Sequence, residues 1–450
     1  MTSKTRLSVV LLSTPLLAFV VVGGLMGASA RSGDETYQHL RVFQNVVDLV
    51  LNNYVEEVKI DRAMEGALKG LADGLDPDSA YLSAKQVTEL EAGAAQPDGD
   101  VGLEMTRQYY LRVISARDGS PAAHAGLQTG DYVRAIDGKP TRDMSVFEGT
   151  RLLRGQPGSK VVLTIIRGNA ADPHEVPLVR EKPAGPLVSG RLVPVAAAQT
   201  APSGSPGNLP LLTPEAGYVR IASFRNGVVE ELKKQIADLS KSGVKSLVID
   251  VRATAEGPLE NGVAAARLFV KSGTLSMRAG RNGENKATIE AAAGDGAITL
   301  PVQLLVTTGT SGPAELFAAA LRDNKRAELV GEHTLGRAGL QKLVKLPEGR
   351  GLWLTYSQYY RSTAGDPEAR TPAQTSGSGT PDIGAAGRPN AAKTPGPETT
   401  KIPGAETING KGLQPDVNVE EPEVAEFGAK PSEKDPILDA AIDRLRKKSA

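Results

Sequence analysis

The 450-residue sequence contains no cysteine, which excludes structural disulfides, thiol chemistry, a lipidated N-terminal cysteine and the usual cysteine-bearing zinc sites. It also lacks an excess of either charge, because lysine plus arginine and aspartate plus glutamate both number 52. Nothing therefore argues for nucleic acid as a partner. The four histidines show no metal-ligand spacing, and the sequence has no H-E-x-x-H and no phosphate-binding loop, so we expect neither a metal nor a cofactor.

Only the N-terminus has an apolar run of transmembrane length. Lys4 and Arg6 precede the apolar residues 7–26, and Ala28-Ser-Ala30 follows them. We interpret residues 1–30 as a secretory signal with an A-x-A-like cleavage site, although 7–26 is long enough to remain as an inner-membrane anchor. Either way we expect an exported protein of the periplasm or cell envelope, with no other membrane contact.

Hydrophobic periodicity divides the rest of the chain into α and β regions. Residues 36–94 have helical spacing, with Val42, Val46, Leu49 and Val50 on one apolar stripe. Residues 98–183 change to short β runs separated by turn residues. The remaining divisions that we predict are a Pro-, Ala-, Ser- and Gly-rich linker at 184–216, a core at 217–360, a disordered insertion at 361–409, a closing strand at 410–422 and a C-terminal helix at 435–448.

Within the core the pattern predicts a β-sheet covered by helices. Strands are expected at 217–224, 246–251 and 302–307, and helices at 228–240, 261–269 and 314–323. The fold class that we expect is α+β multidomain: a β domain, a helix-covered core and an N-terminal helical segment.

The β domain carries the motifs of a known module. Ser120-Pro-Ala-Ala-His-Ala-Gly-Leu127 and Leu153-Arg-Gly155 closely resemble a PDZ domain. The resemblance implies that Val101, Gly102 and Leu103 receive the C-terminal carboxylate of a peptide. Asp100 replaces a glycine of the usual loop, and we expect its charge to weaken such binding; a purely structural β domain is the alternative.

The core resembles the carboxy-terminal processing (tail-specific) serine peptidases, which have a β-β-α, ClpP/crotonase-like core. Thr308-Gly-Thr-Ser-Gly-Pro-Ala-Glu-Leu316 is similar to the family's nucleophile turn, and Val330-Gly-Glu-His-Thr-Leu-Gly-Arg-Ala-Gly-Leu-Gln341 to its Val-Gly-Glu-x-Thr-Phe-Gly-Lys-Gly-x-Val-Gln. The resemblance places the family's serine at Gly312 and its lysine at Arg337, and keeps its glutamine as Gln341.

These substitutions remove the groups on which a Ser-Lys dyad depends. A desolvated lysine loses its charge near neutral pH and accepts the hydroxyl proton, whereas a guanidinium with a pKa above about 12 stays protonated. Gly312 has no oxygen, and Pro313 has no N–H for a developing oxyanion. Glu256 also stands where the family has an oxyanion-hole glycine, and Asp78 where its N-terminal segment has histidine.

Two residues remain as candidates for a rearranged centre. Ser311 is either a displaced nucleophile or a turn residue or helix N-cap before Pro313. Its base would be His333, since Lys342 and Gln341 leave a strand on opposite faces.

Three hypotheses follow for the function. The first is a catalytically impaired pseudopeptidase of the cell envelope that binds unfolded or C-terminal peptide segments and has an active protease as a further expected partner. The second is an active serine endopeptidase that uses Ser311 and Gln341. The third is a structural envelope protein.

Overall fold

The computed structural model describes residues 37–92, 97–168, 172–194, 214–363, 402–422, 427 and 434–449. The predicted signal or anchor at 1–30 lies outside these residues, as does most of the predicted insertion. Among the described residues, no helix combines the length and apolar character that a membrane span requires. The chain divides into two compact units, residues 1–70 and 71–450.

The N-terminal segment contains the predicted helices, at 37–53 (α1), Ile60–Asp73 (α2) and Ala84–Glu91 (α3). One detail differs from the prediction. A short strand, Ala80–Leu82 (β1), interrupts the segment, because its three buried residues pair with a strand of the core.

The PDZ domain is a five-stranded antiparallel path with one short strand added at its side and a helix packed against it. Its apolar core is formed by alternate residues of the strands, such as Val161, Leu163 and Ile165. The elements are Leu103–Gln108 (β2), Tyr110–Ala116 (β3), Pro121–His124 (α4), Tyr132–Ile136 (β4), Lys139–Pro140 (β5), Val146–Leu153 (α5), Lys160–Ile166 (β6) and His174–Val179 (β7).

The peptidase core follows, with helices and strands close to the predicted positions. Its first half comprises Val188–Pro194 (β8), Pro214–Ile221 (β9), Val228–Lys241 (α6), Ser246–Asp250 (β10), Leu259–Ala266 (α7), Thr274–Gly280 (β11) and Ala287–Glu290 (β12). Its second half comprises Val302–Val306 (β13), Pro313–Asp323 (α8), Ala327–Gly331 (β14), Gly339–Lys345 (β15), Gly351–Ser362 (β16), Ala405–Thr407 (β17), Val417–Asn418 (β18) and Pro436–Ser449 (α9).

Two sheets form the core. The first has the order β18-β14-β13-β10-β9-β8 and is parallel except for the antiparallel edge strand β8. The second is antiparallel, in the order β1-β16-β11-β12, with β15 and β17 also paired to β16. The structure therefore confirms the α+β prediction of a PDZ domain beside a helix-covered sheet.

Alternation along the parallel strands decides which helix covers each face of the first sheet. Ile249 and Leu304 share one apolar cluster with α6, α7 and α8. Val248 and Leu305, one residue away on the same strands, share another with Ile437 of α9. Because both faces are covered, these strands are mostly apolar, with Gln303 and Asp250 as buried polar exceptions.

The predicted linker and insertion had wrong boundaries. Residues 188–194 of the linker form β8 and pair with β9, so only the remainder connects the domains. Residues 405–407 of the insertion form β17 and pair with the end of β16. β17 has only three residues, and β8 contains Ser189 and Gly190, which are typical of turns, so the β pattern of both strands is weak in the sequence.

Candidate active site

The turn between β13 and α8 places Gly312 at the N-cap of α8 and Pro313 at its first helical position. Gly312 has φ 60° and ψ −121°, a conformation that side chains of L-residues rarely adopt. A Cβ added here would meet its nearest atom, the Ala255 carbonyl oxygen, at 3.4 Å. The space at position 312 therefore admits a side chain, although the backbone would be strained by one.

Ser311 is buried at 1% exposure, and its Oγ has no hydrogen-bond partner among the described residues. Its backbone N–H donates to the Thr254 carbonyl at 3.0 Å. Of the two structural interpretations of Ser311, the N-cap was wrong, because Gly312 occupies that position and Ser311 precedes it in the turn. Without an acceptor for its proton, Ser311 lacks the bond that activates a nucleophilic hydroxyl.

Glu315 connects Gly312 and Arg337, the two positions at which the family has the residues of its dyad. Its Oε2 accepts hydrogen bonds from the backbone N–H of Gly312 at 3.1 Å and of Arg337 at 2.8 Å. Its Oε1 accepts from Gly336 N–H at 2.6 Å and from the Thr334 hydroxyl. Burial raises the pKa of this fully buried carboxyl, and the four donors oppose the rise.

Arg337 holds a carboxylate from the helical segment. Its Nη2 lies 2.8 Å from Asp78 Oδ1, an ion-pair contact without hydrogen-bond alignment, and its Nε donates to Asp78 Oδ2 at 3.1 Å. Its Nη1 lies 3.5 Å from Glu104 Oε2 of the PDZ domain. Burial opposes the charge, but the two carboxylates outweigh it and raise the pKa of Arg337 above its ordinary value. This guanidinium stays charged and cannot accept a proton.

The remaining predicted side chains do not converge on Ser311. Gln341 Nε2 donates to Thr355 Oγ1 at 3.2 Å, whereas Lys342 Nζ lies 4.9 Å from the centre of the Tyr356 ring. These separate partners agree with opposite faces of β15. His333 does not bond Ser311, whose Oγ has no hydrogen-bond partner within the described ranges.

The PDZ loop lies against the core and lines a cavity of about 250 Å³. Val101 and Leu103 are buried, and Gly102 has φ +73° with the Ser120 Cβ only 2.3 Å from where its own Cβ would be. The loop is fixed by the N–H of Ala122, which donates to the Val101 carbonyl at 3.0 Å. The three residues predicted for peptide binding therefore form one wall of a single cavity.

Sequence reasoning missed the partner of Asp100. Arg117 Nη2 lies 2.7 Å from Asp100 Oδ1, so the charge that we expected to repel a ligand is paired. It also missed the Glu315 network, although a glutamate at the third helical position is a recognised capping signal. No sequence pattern predicts Arg117 as the partner of Asp100, because Arg117 lies in an ordinary turn after β3.

The comparisons with known proteins identify the domains. The peptidase family S41 profile matches residues 215–377, and a PDZ domain profile matches residues 112–167. A carboxyl-terminal-processing protease of Synechocystis sp. is 30% identical over 334 residues, which are 72% of this chain and 72% of that protein. This chain belongs to the carboxyl-terminal-processing protease family.

Other members of the family support the same assignment. A carboxy-terminal-processing protease of Bartonella bacilliformis is 27% identical over 369 residues, which are 80% of this chain and 78% of that protein. The solved structure of a photosystem II D1 C-terminal processing protease is similar with a TM-score of 0.59 and 26% identity, covering 83% of this chain and 85% of that one.

Proposed function

We propose that this member of the carboxyl-terminal-processing protease family has lost peptide-bond hydrolysis and retains the binding of peptides. Position 312 carries this proposal, because a glycine there supplies no oxygen to attack a carbonyl. Arg337, in the lysine's place, is a permanently charged partner of Asp78 and not a base.

The neighbouring groups support the same conclusion. Pro313 has no N–H to stabilise an oxyanion, and Glu256 brings a negative charge to a loop where the family has glycine. The second candidate, an active endopeptidase using Ser311, gains no support from the geometry, since the Ser311 hydroxyl has no acceptor among the residues that the structure describes.

The ligands that we propose are unfolded or C-terminal segments of proteins in the cell envelope. Support comes from the cavity beside Val101, Gly102 and Leu103, which combines apolar walls with a buried guanidinium. Export rests on the sequence of residues 1–30 alone. An active protease is a proposed partner, to which this chain would present bound segments.

Casein cleavage tests the loss of hydrolysis. The purified chain should leave casein intact over many hours, and Ser311→Ala should behave identically. Cleavage by the wild type that disappears in Ser311→Ala would establish the second candidate.

Peptide binding is tested separately, by the anisotropy of a fluorescent peptide that ends in an apolar residue. A rise in anisotropy that unlabelled peptide reverses is expected. No binding to any such peptide would favour the third candidate, a structural envelope protein.

A further inference from the structure

The cavity of about 250 Å³ lies between the PDZ loop and the peptidase core. Its apolar lining includes Val101, Leu103 and Leu153, and its charged lining includes Arg117 from the PDZ side and Glu256 and Arg225 from the core side. The Arg117 side chain is only 7% exposed. A buried guanidinium beside apolar walls suits a chain end that carries both a carboxylate and an apolar side chain.

Arg117 already holds two carboxylates of this chain. Its Nη2 lies 2.7 Å from Asp100 Oδ1 within the PDZ domain, and its Nη1 lies 2.9 Å from Glu256 Oε1 of the core. Asp100 belongs to the same domain as Arg117. Glu256 comes from the other domain, where the family has glycine, so it is the partner that can be exchanged.

Glu256 has a second cation within reach. Its Oε2 is buried without a hydrogen-bond partner in the described part of the chain, and so is the Nε of Arg225. These two unpaired atoms face each other at 3.7 Å, just beyond hydrogen-bonding distance. Leaving two buried polar atoms unpaired costs free energy, which a small shift of Glu256 toward Arg225 would recover.

We propose that Glu256 binds Arg117 at the position that the C-terminal carboxylate of a peptide ligand takes when it binds. An incoming peptide carboxylate replaces Glu256 on Arg117, and Glu256 turns to Arg225, so each guanidinium keeps a carboxylate partner. The apolar side chain of the last ligand residue lies against Val101, Leu103 and Leu153. This inference rests on the proposed peptide binding and makes Glu256 an internal competitor of the ligand.

The test compares two fluorescent peptides of the same sequence ending in valine, one with a free carboxylate and one amidated. The full chain should prefer the free carboxylate. Glu256→Gln removes the competitor, so its affinity for the free carboxylate should rise roughly fivefold to tenfold, whereas Arg117→Gln should abolish the preference. Glu348→Gln, which removes one negative charge from an exposed ion pair of the core, is the matched control and should change nothing.

The outcomes separate this inference from the proposed function. Equal affinity of the wild type and Glu256→Gln, or equal binding of both peptides, would overturn the exchange while peptide binding stands. Failure of every variant to bind either peptide would overturn both. Because Arg117→Gln removes a buried group and can impair folding, Glu256→Gln decides the question by itself, with thermal unfolding measured for each variant.

Discussion

Arg337 and Asp78, 259 residues apart in sequence, form an ion pair at the position where the family's lysine is expected, with Nη2 2.8 Å from Oδ1. Asp78 is 12% exposed and Arg337 27%. Position 337 thus carries a charged side chain and not a proton acceptor. The Arg337–Asp78 ion pair, called the tether below, attaches the segment before β1 to the core. The substitution to which we attribute the proposed loss of catalysis also provides this attachment.

The tether predicts a loss of stability on mutation. Arg337→Gln leaves the Asp78 carboxylate without its cation and should lower the free energy of unfolding by about 2 kcal/mol. Urea unfolding measures this loss of stability. A double-mutant cycle that combines Arg337→Gln with Asp78→Asn should give a coupling free energy above about 1 kcal/mol. The exposed pair Arg446–Asp443 is the control, with an expected coupling below about 0.5 kcal/mol. Equal couplings for the two pairs would refute the tether.

Restoring the dyad alone should not restore cleavage. The double variant Gly312→Ser with Arg337→Lys regains an alcohol and an amine, but Pro313 still lacks the N–H that an oxyanion needs. We expect no casein hydrolysis from this variant, and measurable hydrolysis only when Pro313→Ala is added. The control is Gly312→Ser with Arg337→Gln, which has the alcohol but no amine. Hydrolysis by the double variant that this control lacks would mean that another N–H donor stabilises the oxyanion.

The buried carboxylate of Glu315 should be needed for the fold of the turn. Glu315→Gln replaces an acceptor oxygen with an NH₂ group that faces existing N–H donors, so it should cost about 2 kcal/mol in urea unfolding. The same change at exposed Glu348 should cost less than about 0.5 kcal/mol. If the two variants unfold alike, the four hydrogen bonds to Glu315 do not stabilise the protein.

Low pH should weaken the ion pairs that link Asp250 of β10 to the start of α9. Burial would raise the pKa of Asp250, but Arg220 and Arg252 outweigh it and hold the pKa below its ordinary value of 3.8. Arg252 also bonds Asp435, just before α9, at 2.8 Å. A lowered carboxyl pKa stabilises the fold above pH 3.8, and this stability is lost as the pH falls through the folded-state pKa.

Asp250→Asn tests that dependence. The difference in unfolding free energy between wild type and variant should be constant above pH 4.5 or so and shrink below about pH 3.8, as followed by urea titrations at several pH values. A difference that does not vary with pH would show that the charge of Asp250 contributes nothing.

Local sequence patterns predicted most of the helices and strands, because an element with a buried face has apolar residues at regular spacing. The strand at 302–306 reads directly as a buried strand, and α6 and α8 begin and end within one residue of the prediction. Apolar spacing identified α1 as a helix, although it does not say what covers its apolar face. The edge strand β8 was missed because it contains Ser189 and Gly190, which are typical of turns, and precedes a turn-rich segment.

The site was only half predictable. Gly312, Pro313 and Arg337 could be judged from the sequence, because the chemistry of glycine, proline and arginine holds in any fold. The partners could not be judged, since Arg117 meets Glu256 across 139 residues, and ion pairs of that separation leave no local pattern. Asp100 was therefore misjudged as an unpaired charge.

The central claim is that no hydroxyl in this core is activated, and covalent labelling tests it most directly. The purified chain is incubated with a fluorophosphonate, which reacts only with an activated hydroxyl, and the adduct is sought by mass spectrometry beside Ser311→Ala. We predict no adduct on either protein. An adduct on Ser311 of the wild type that Ser311→Ala lacks would contradict the account.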